Sequence, residues 1–362
     1  LWRQPPHQVT EEQYKEFYRG LTYDYGEPLL HMHLSTDAPI DLHAVLFVPS
    51  ARERGLLERR VEGKIKLYSR KVLIQEEAKD LLPPHFRFIE GVVDSEDLPL
   101  NVARETVQGT RVHQRIKRTL TGRLTKTLGE LAESDPDKYA EFWREFGPFI
   151  KEGVASDPSV RAELLPLLRF QSTKSDGALI SLADYAGRMA EGQDAIYYLV
   201  AGDLESARQS PHLDAPAARD LEVLLLVDLL DSVMLEGLRE YEGKALKNID
   251  DPDLELPGEA EAVASRVDDD AFARLAERAK AILGERVTDV QASATLRTNP
   301  ARLVSPEAGP QREMARFQRL IERDFTVAPK LLELNRGHQL VADLARLVEA
   351  GPDDPLVGLL VE

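Results

Sequence analysis

Apolar and polar positions alternate along the chain in patterns that change character several times. Thr10-Glu11-Glu12-Gln13 forms a capping box, and Tyr14, Phe17, Tyr18 and Leu21 follow at helical spacing, which predicts a helix from about residue 11. His43 to Pro49 and Ile65 to Ile74 are runs rich in Val, Leu, Ile and Phe that end at polar residues or proline, and they read as strands. From about Ala103 the period turns helical. Asp135-Pro136 opens a second helix with Phe142, Trp143, Phe146 and Ile150 on one stripe, and Leu164, Leu165, Leu167 and Leu168 suggest a third. Ala195 to Val200 and Leu221 to Val227 are continuous apolar runs with helix-compatible residues between them, the signature of a βαβ unit with both strands buried. The last hundred or so residues alternate a helix (Asp268 to Leu283), two strands (Arg286 to Thr298) and further helices.

These elements place the chain in the mixed α/β class, with more than one domain. Residues 1–128 read as a larger α/β part, 129–170 as a helical connector and 171–249 as a smaller αβα part; a further mixed α/β part starts at about 250. Asn248 to Glu261 is the clearest linker, with six acidic residues, two prolines and no basic residue. The length of 362 residues suits two or three domains, and 43% apolar with 30% charged residues describes a globular chain. The absence of cysteine excludes disulfide scaffolds, thiolate metal sites and cysteine nucleophiles. No apolar run approaches the ~18 residues of a membrane span, and the start does not look like a signal peptide, so the expected compartment is the cytoplasm. The chain begins at Leu1 and ends in an apolar stretch, from which a piece of a longer protein is expected.

Charge divides the chain unevenly. The net charge of −17 should repel nucleic acid and anionic membrane. Yet residues 1–128 hold 20 basic and 18 acidic side chains against 26 and 45 in 129–362, and Asn101 to Leu128 carries seven basic residues and only Glu105 as an acid. If 103–118 is helical, Arg104, Gln108, Arg111 and Arg115 share one face. Arg104 near a helix start is unfavourable with the macrodipole unless an anion neutralises it. Three readings stay open for this face: a solvated surface paired with the protein's own acids, a site for an anionic ligand or phosphate, and a basic-helix module for nucleic acid or another polyanion.

Other candidates are weaker. The turn Ala201-Gly202-Asp203 after the first βαβ strand has no phosphate-binding glycine fingerprint, and its acid would repel phosphate, so the unit reads as structural. His31 and His33 share one face of a possible strand, but no further ligand cluster accompanies them; they read as solvated histidines on an edge strand, with no metal expected. Met314, Phe317 and Ile321 form a stripe that fits either core packing or an exposed surface that grips partners.

The run Gly91-Val92-Val93-Asp94-Ser95-Glu96-Asp97-Leu98-Pro99-Leu100-Asn101-Val102-Ala103-Arg104-Glu105 closely resembles the catalytic-loop signature in the middle domain of the heat-shock protein 90 chaperones, in particular the bacterial HtpG type. Leu1-Trp2-Arg3, Glu16-Phe17-Tyr18, Ile65-Lys66-Leu67-Tyr68, Leu168-Arg169-Phe170, Ile196-Tyr197-Tyr198, Glu242-Gly243-Lys244, Leu283 to Val287 and Glu333-Leu334-Asn335 agree in the same order, so the resemblance covers essentially the whole chain.

The resemblance implies a middle domain over 1–249 and an incomplete C-terminal dimerisation domain over 250–362, with the N-terminal ATPase domain absent. On that basis the chain is expected not to be an enzyme by itself, ATP and Mg belong to the full-length protein, and no cofactor is expected here. The resemblance implies that Arg104, with Asn101 and Gln108, reaches the γ-phosphate of ATP held by the protein's own N-terminal domain. It assigns Trp2, Met314 and Phe317 to contacts with non-native client proteins, to which Ile321 is added from its place on the same stripe, and it implies a homodimer, weakened here because the chain is expected to end inside the first dimerisation helix. Two positions depart from the family pattern: Leu73 stands where many relatives have Phe in a docking patch, and Val233 replaces a Trp found in some bacterial relatives.

Overall fold

The computed structural model describes residues 1–23, 25–38, 40–51, 64–98, 110–251, 254–258, 263–305, 329–351 and 355–361. They form two compact units, 1–169 and 170–362, both mixed α/β.

In the first unit, helix α1 (Glu11–Thr22) starts at the expected capping box: Thr10 Oγ1 accepts from the Gln13 amide, and the Gln13 side chain accepts from the Thr10 amide. A five-stranded sheet follows, built from β1 (Leu30–Thr36), β2 (Leu42–Val48), β3 (Ile65–Ser69), β4 (Val72–Gln75) and β5 (Glu90–Asp94) in the order β1-β2-β5-β3-β4. Only the β3–β5 pair is parallel. The single strand expected over 65–74 is a hairpin instead. Arg70 and Lys71 both adopt left-handed backbone angles (φ 51° and 67°), which turns the chain back on itself after Ser69. Tyr14 and Tyr18 of α1 pack on Val45 and Phe47 of β2, with Leu1, Trp2, Val9, Phe17 and Leu21 around them.

Helix α2 (Arg111–Ser134) leads through Asp135 into α3 (Pro136–Ser156). Asp135 caps α3 by accepting from the Lys138 amide, and Pro136 takes the first helical position, where a missing N–H costs nothing. Phe142, Trp143, Phe146 and Ile150 are buried as the stripe predicts. Phe146 stacks on Phe88 with centroids 4.3 Å apart, and Phe142 and Phe149 complete the cluster. The third helix expected around Leu164 to Leu168 is one α-turn (Arg161–Leu164) followed by a 3-10 turn, because Pro166 cannot continue an α-helix.

The second unit holds two sheets. The first contains β6 (Gln171–Ser172), β7 (Ala195–Val200), β8 (Leu224–Leu226), β9 (Glu240–Tyr241) and β10 (Lys244–Asn248), ordered β6-β8-β7-β10-β9. Its helices are α4 (Leu182–Gly187), α5 (Leu204–Arg208), α6 (Asp214–Ala217) and α7 (Leu229–Gly237), which includes Val233. β7 and β8 are parallel and buried, so the βαβ pattern holds. The second sheet, β11 (Val287–Ala292), β12 (Ala301–Val304) and β13 (Lys330–Leu334), has β13 in the middle. It accompanies α8 (Asp269–Leu283), α9 (Gln339–Ala350) and α10 (Pro355–Val361). Of the two strands expected within 286–298, only β11 lies there; the second, β12, starts at Ala301 beyond a turn.

Candidate functional site

Strand β5 organises the site. A Cβ at Gly91 would lie 2.3 Å from the Val45 carbonyl oxygen of β2, so the close approach of the two backbones requires glycine there. Three residues on, β5 ends at Asp94, whose side chain is wholly buried. Trp2 Nε1 donates to Asp94 Oδ2 at 3.1 Å, and Arg3 Nε donates to the same oxygen at 2.8 Å. The Lys71 amide, presented by the β3–β4 turn, donates at 3.2 Å. Burial by itself pushes the Asp94 carboxyl up, but the Arg3 guanidinium, the Trp2 indole N–H and the Lys71 amide outweigh it and hold the group below the usual carboxylate range. Arg3 also reaches Glu96 at 2.6 Å.

The residues after Asp94 are pinned one by one. The Ser95 amide donates to the Tyr68 carbonyl, and Ser95 Oγ donates to the Asp41 carbonyl at 2.6 Å. The Glu96 amide donates to Asp41 Oδ1, while Asp97 Oδ2 accepts from the Asp41 amide, each at 3.0 Å. Ser69 Oγ donates to the buried Leu98 carbonyl at 2.6 Å. The first half of the 91–105 run is therefore a strand followed by a fixed pedestal. Asn101, Arg104 and Gln108, and likewise Met314, Phe317 and Ile321, lie outside the described residues.

Trp2 is the one residue among the expected site residues that is described. Its ring lies 5.0 Å from that of Tyr68 and 5.9 Å from that of Phe17. Its carbonyl oxygen accepts from His33 Nε2 at 3.3 Å, so His33 Nδ1 accepts from the Tyr14 hydroxyl at 2.6 Å. The two histidines are thus half-buried rather than solvated as the alternation had implied, although β1 is the edge strand expected. His31 stacks on Tyr14 with centroids 3.9 Å apart, and burial holds both imidazoles below their ordinary pKa. Beside Trp2 runs a groove of about 620 Å³, with Phe17, Leu21, Tyr68 and Val92 as apolar lining and Gln4, Gln13, Glu16 and Lys66 as polar lining. No sequence signal pairs Trp2 or Arg3 with Asp94, more than ninety positions away, although all three stand within the quoted runs.

Other candidates are less developed. Asp37, Asp41 and His43 bring three ligand atoms within 4.8 Å of one another, a cluster not foreseen from sequence. Asp41 is already engaged with the Glu96 amide, and His43 Nδ1 with Ser35 Oγ. At the βαβ turn, Asp203 accepts from the Ser206 amide at 2.8 Å and occupies the start of α5, so this turn does not fit a nucleotide phosphate and no step with ATP is derived from it. On α2, Arg111, Arg115, Arg118, Arg123 and Lys126 are exposed, but no observation favours a nucleic-acid or polyanion reading over a solvated face. Leu73 on β4 is 42% exposed beside Val72, on the edge strand of its sheet. Among the described residues no helix is long and apolar enough to cross a membrane.

A family model described as Hsp90 protein matches residues 1–362. The chain is 41% identical over 348 residues to Chaperone protein HtpG of Desulfitobacterium hafniense, covering 95% of this chain and 56% of that protein. It is 40% identical over 367 residues to Chaperone protein HtpG of Nitratidesulfovibrio vulgaris (99% and 58%) and 35% identical over 361 residues to that of Chlorobium luteolum (99% and 58%). The chain spans little more than half the length of the curated relatives it matches.

These matches correct three expectations. The family description fits residues 1–362 as one unbroken span, reaching the first residue, so the delimitation to middle plus C-terminal domains with the ATPase domain left out is withdrawn. Collinear motifs fix which family a chain belongs to; they do not fix which parts of the family's length are missing from it. The same finding removes the ground for holding that the chain is no enzyme for want of a nucleotide-binding domain, and for placing ATP and Mg only in a longer parent. On the family match over residues 1–362, the chain belongs to the Hsp90 protein family.

Proposed function

We propose that the chain binds exposed segments of non-native proteins, with the groove beside Trp2 as one contact surface. The observation that carries this reading is a tryptophan held in place by Asp94 and His33 at a groove with an apolar lining and polar residues around it. A rigid aromatic anchor loses little conformational freedom on binding, and mixed lining suits a segment whose side chains alternate in polarity. Met314, Phe317 and Ile321 supply a second contact stripe, a role that rests on their spacing and the family resemblance. The test is suppression of aggregation of a heat-unfolded client by this chain carrying Trp2→Ala or Trp2→Phe. Loss with Ala and retention with Phe is expected; full activity with Ala overturns the proposal.

Within the same reading, Arg104 stabilises the γ-phosphate of ATP during hydrolysis, with Asn101 and Gln108 alongside. A planar guanidinium that stays charged can neutralise developing phosphate charge without moving a proton. The segment 94–98, which precedes Arg104 in sequence, is pinned residue by residue. Homodimerisation through α10 belongs to the reading as well, since Leu356, Leu359 and Leu360 are 53%, 72% and 47% exposed. The cytoplasm is the compartment in which we place this work.

A further inference from the structure

Asp214 begins the short helix α6 in the crossover from β7 to β8, yet its carboxylate serves a loop of the other sheet in the second unit. Three consecutive amides converge on Asp214 Oδ2: Arg297 at 3.0 Å, Thr298 at 2.9 Å and Asn299 at 2.8 Å. Thr298 Oγ1 and Asn299 Nδ2 donate to Oδ1, each at 2.7 Å. Successive backbone N–H groups turned to one point make a concave site for an anion, and here the chain's own carboxylate fills it.

The concave turn is held from behind independently of Asp214. Buried Asn335, just after β13, donates from Nδ2 to the carbonyls of Arg297 and Asn299, both at 3.1 Å, and its amide donates to the Pro300 carbonyl at 2.8 Å. Asn335 thus holds the carbonyl side of the turn and Asp214 its amide side. Asp214 and the turn are 83 to 85 positions apart, so five hydrogen bonds that join the two sheets depend on one side chain. Burial pushes the Asp214 carboxyl up, and these donors, the Asn299 amide foremost, bring it below its ordinary range.

We propose that Asp214 is a releasable latch: seated in the turn 297–299, its carboxylate holds the sheet β11-β13-β12 against the β7–β8 crossover, and its loss lets the two sheets separate without unfolding either. The device gives a chaperone chain a hinge whose closed state is set by one ion-like contact.

Amide hydrogen exchange on the whole chain tests it. In Asp214→Ala, exchange at Arg297, Thr298 and Asn299 should rise by roughly tenfold or more, while β7 and β13 keep their protection. Formate should restore protection at the turn in this variant, and chloride at equal ionic strength should not. Asp214→Asn, which keeps the shape and one acceptor oxygen, should fall between, and it carries the test if the alanine variant does not fold. Unchanged exchange at 297–299 overturns the latch. So does an equal loss of protection in β7 and β13, which would make Asp214 a general support of the fold. Failure of formate to restore the turn overturns the claim that a carboxylate is what the turn holds.

Discussion

The indole N–H of Trp2 donates to Asp94 Oδ2 across 3.1 Å, tying the second residue of the chain to the last residue of a central strand. That bond sets the orientation of an aromatic ring beside an open groove and joins it to the segment that leads towards Arg104.

Asp94→Ala should therefore destabilise the first unit and free Trp2 together. The substitution leaves Arg3 Nε, the indole N–H and the Lys71 amide without their acceptor while Arg3 keeps Glu96, a loss of about 2–4 kcal/mol after allowance for the partial exposure of Arg3. Urea unfolding measures the first effect and a red-shifted Trp2 emission the second. Trp2→Phe should cost about 1 kcal/mol and leave the rest of the network in place.

Gly91→Ala should be among the most damaging single-methyl additions. The new carbon meets backbone on the neighbouring strand, which no rotamer change can relieve. A loss of about 3 kcal/mol, at the upper end for overpacking, is expected in the same urea assay. Gly122→Ala, on α2 with nothing near the added carbon, should be neutral or slightly stabilising.

Stability should fall as the pH drops below neutrality. His85 is 2% exposed, and burial lowers its pKa from 6.5 to about 4. Above about 6.5 both folded and unfolded states hold it neutral; below that value the unfolded chain takes up the proton first, so stability is lost progressively down to about pH 4. The full loss is on the order of 3 kcal/mol. His33, also lowered by burial, acts in the same direction, and its protonation removes the Nδ1 acceptor of the Tyr14 hydroxyl. Urea midpoints at several pH values between 7 and 4 check this, and His85→Leu should flatten the profile.

Arg104→Lys in this chain should lower its turnover of ATP by well over tenfold while changing KM little. Lysine keeps the charge but not the planar fork, and an arginine on a transferring phosphate contributes roughly 10³-fold or more. Steady-state ATPase kinetics of the two proteins decide it.

Self-association should depend on α10. Light scattering at increasing concentration should show mass rising from 40.6 kDa towards about twice that value, and Leu359→Glu should hold the chain at the monomer mass.

What was legible in the sequence was mostly local. The capping box at Thr10, the Asp135-Pro136 helix start, the Phe142–Phe146–Ile150 stripe and the βαβ runs each depend on neighbours within a few residues, and each formed as read. The hairpin inside 65–74 was hidden because its turn is made of Arg70 and Lys71, with no Gly, Asn or Asp to announce left-handed backbone. The displacement of β12 beyond 298 follows from the turn that Asp214 holds, a contact from more than eighty positions away. The histidines of β1 alternate like surface residues, and only the arrival of Tyr14 from α1 covers them. Of the candidate site, Trp2 could be named from the family resemblance, but its anchoring by Asp94 and His33 is tertiary and leaves no mark in either local sequence.

The most direct test of the account is the fluorescence of Trp2 during client binding. Trp143→Phe leaves Trp2 as the only tryptophan in the chain. Titration with an unfolded client protein should then shift and saturate the Trp2 emission, with a matched loss of the response in the double variant Trp143→Phe/Phe17→Ser, which opens the groove to water. An emission unchanged at client concentrations that saturate binding would contradict the proposal that non-native protein is held beside Trp2.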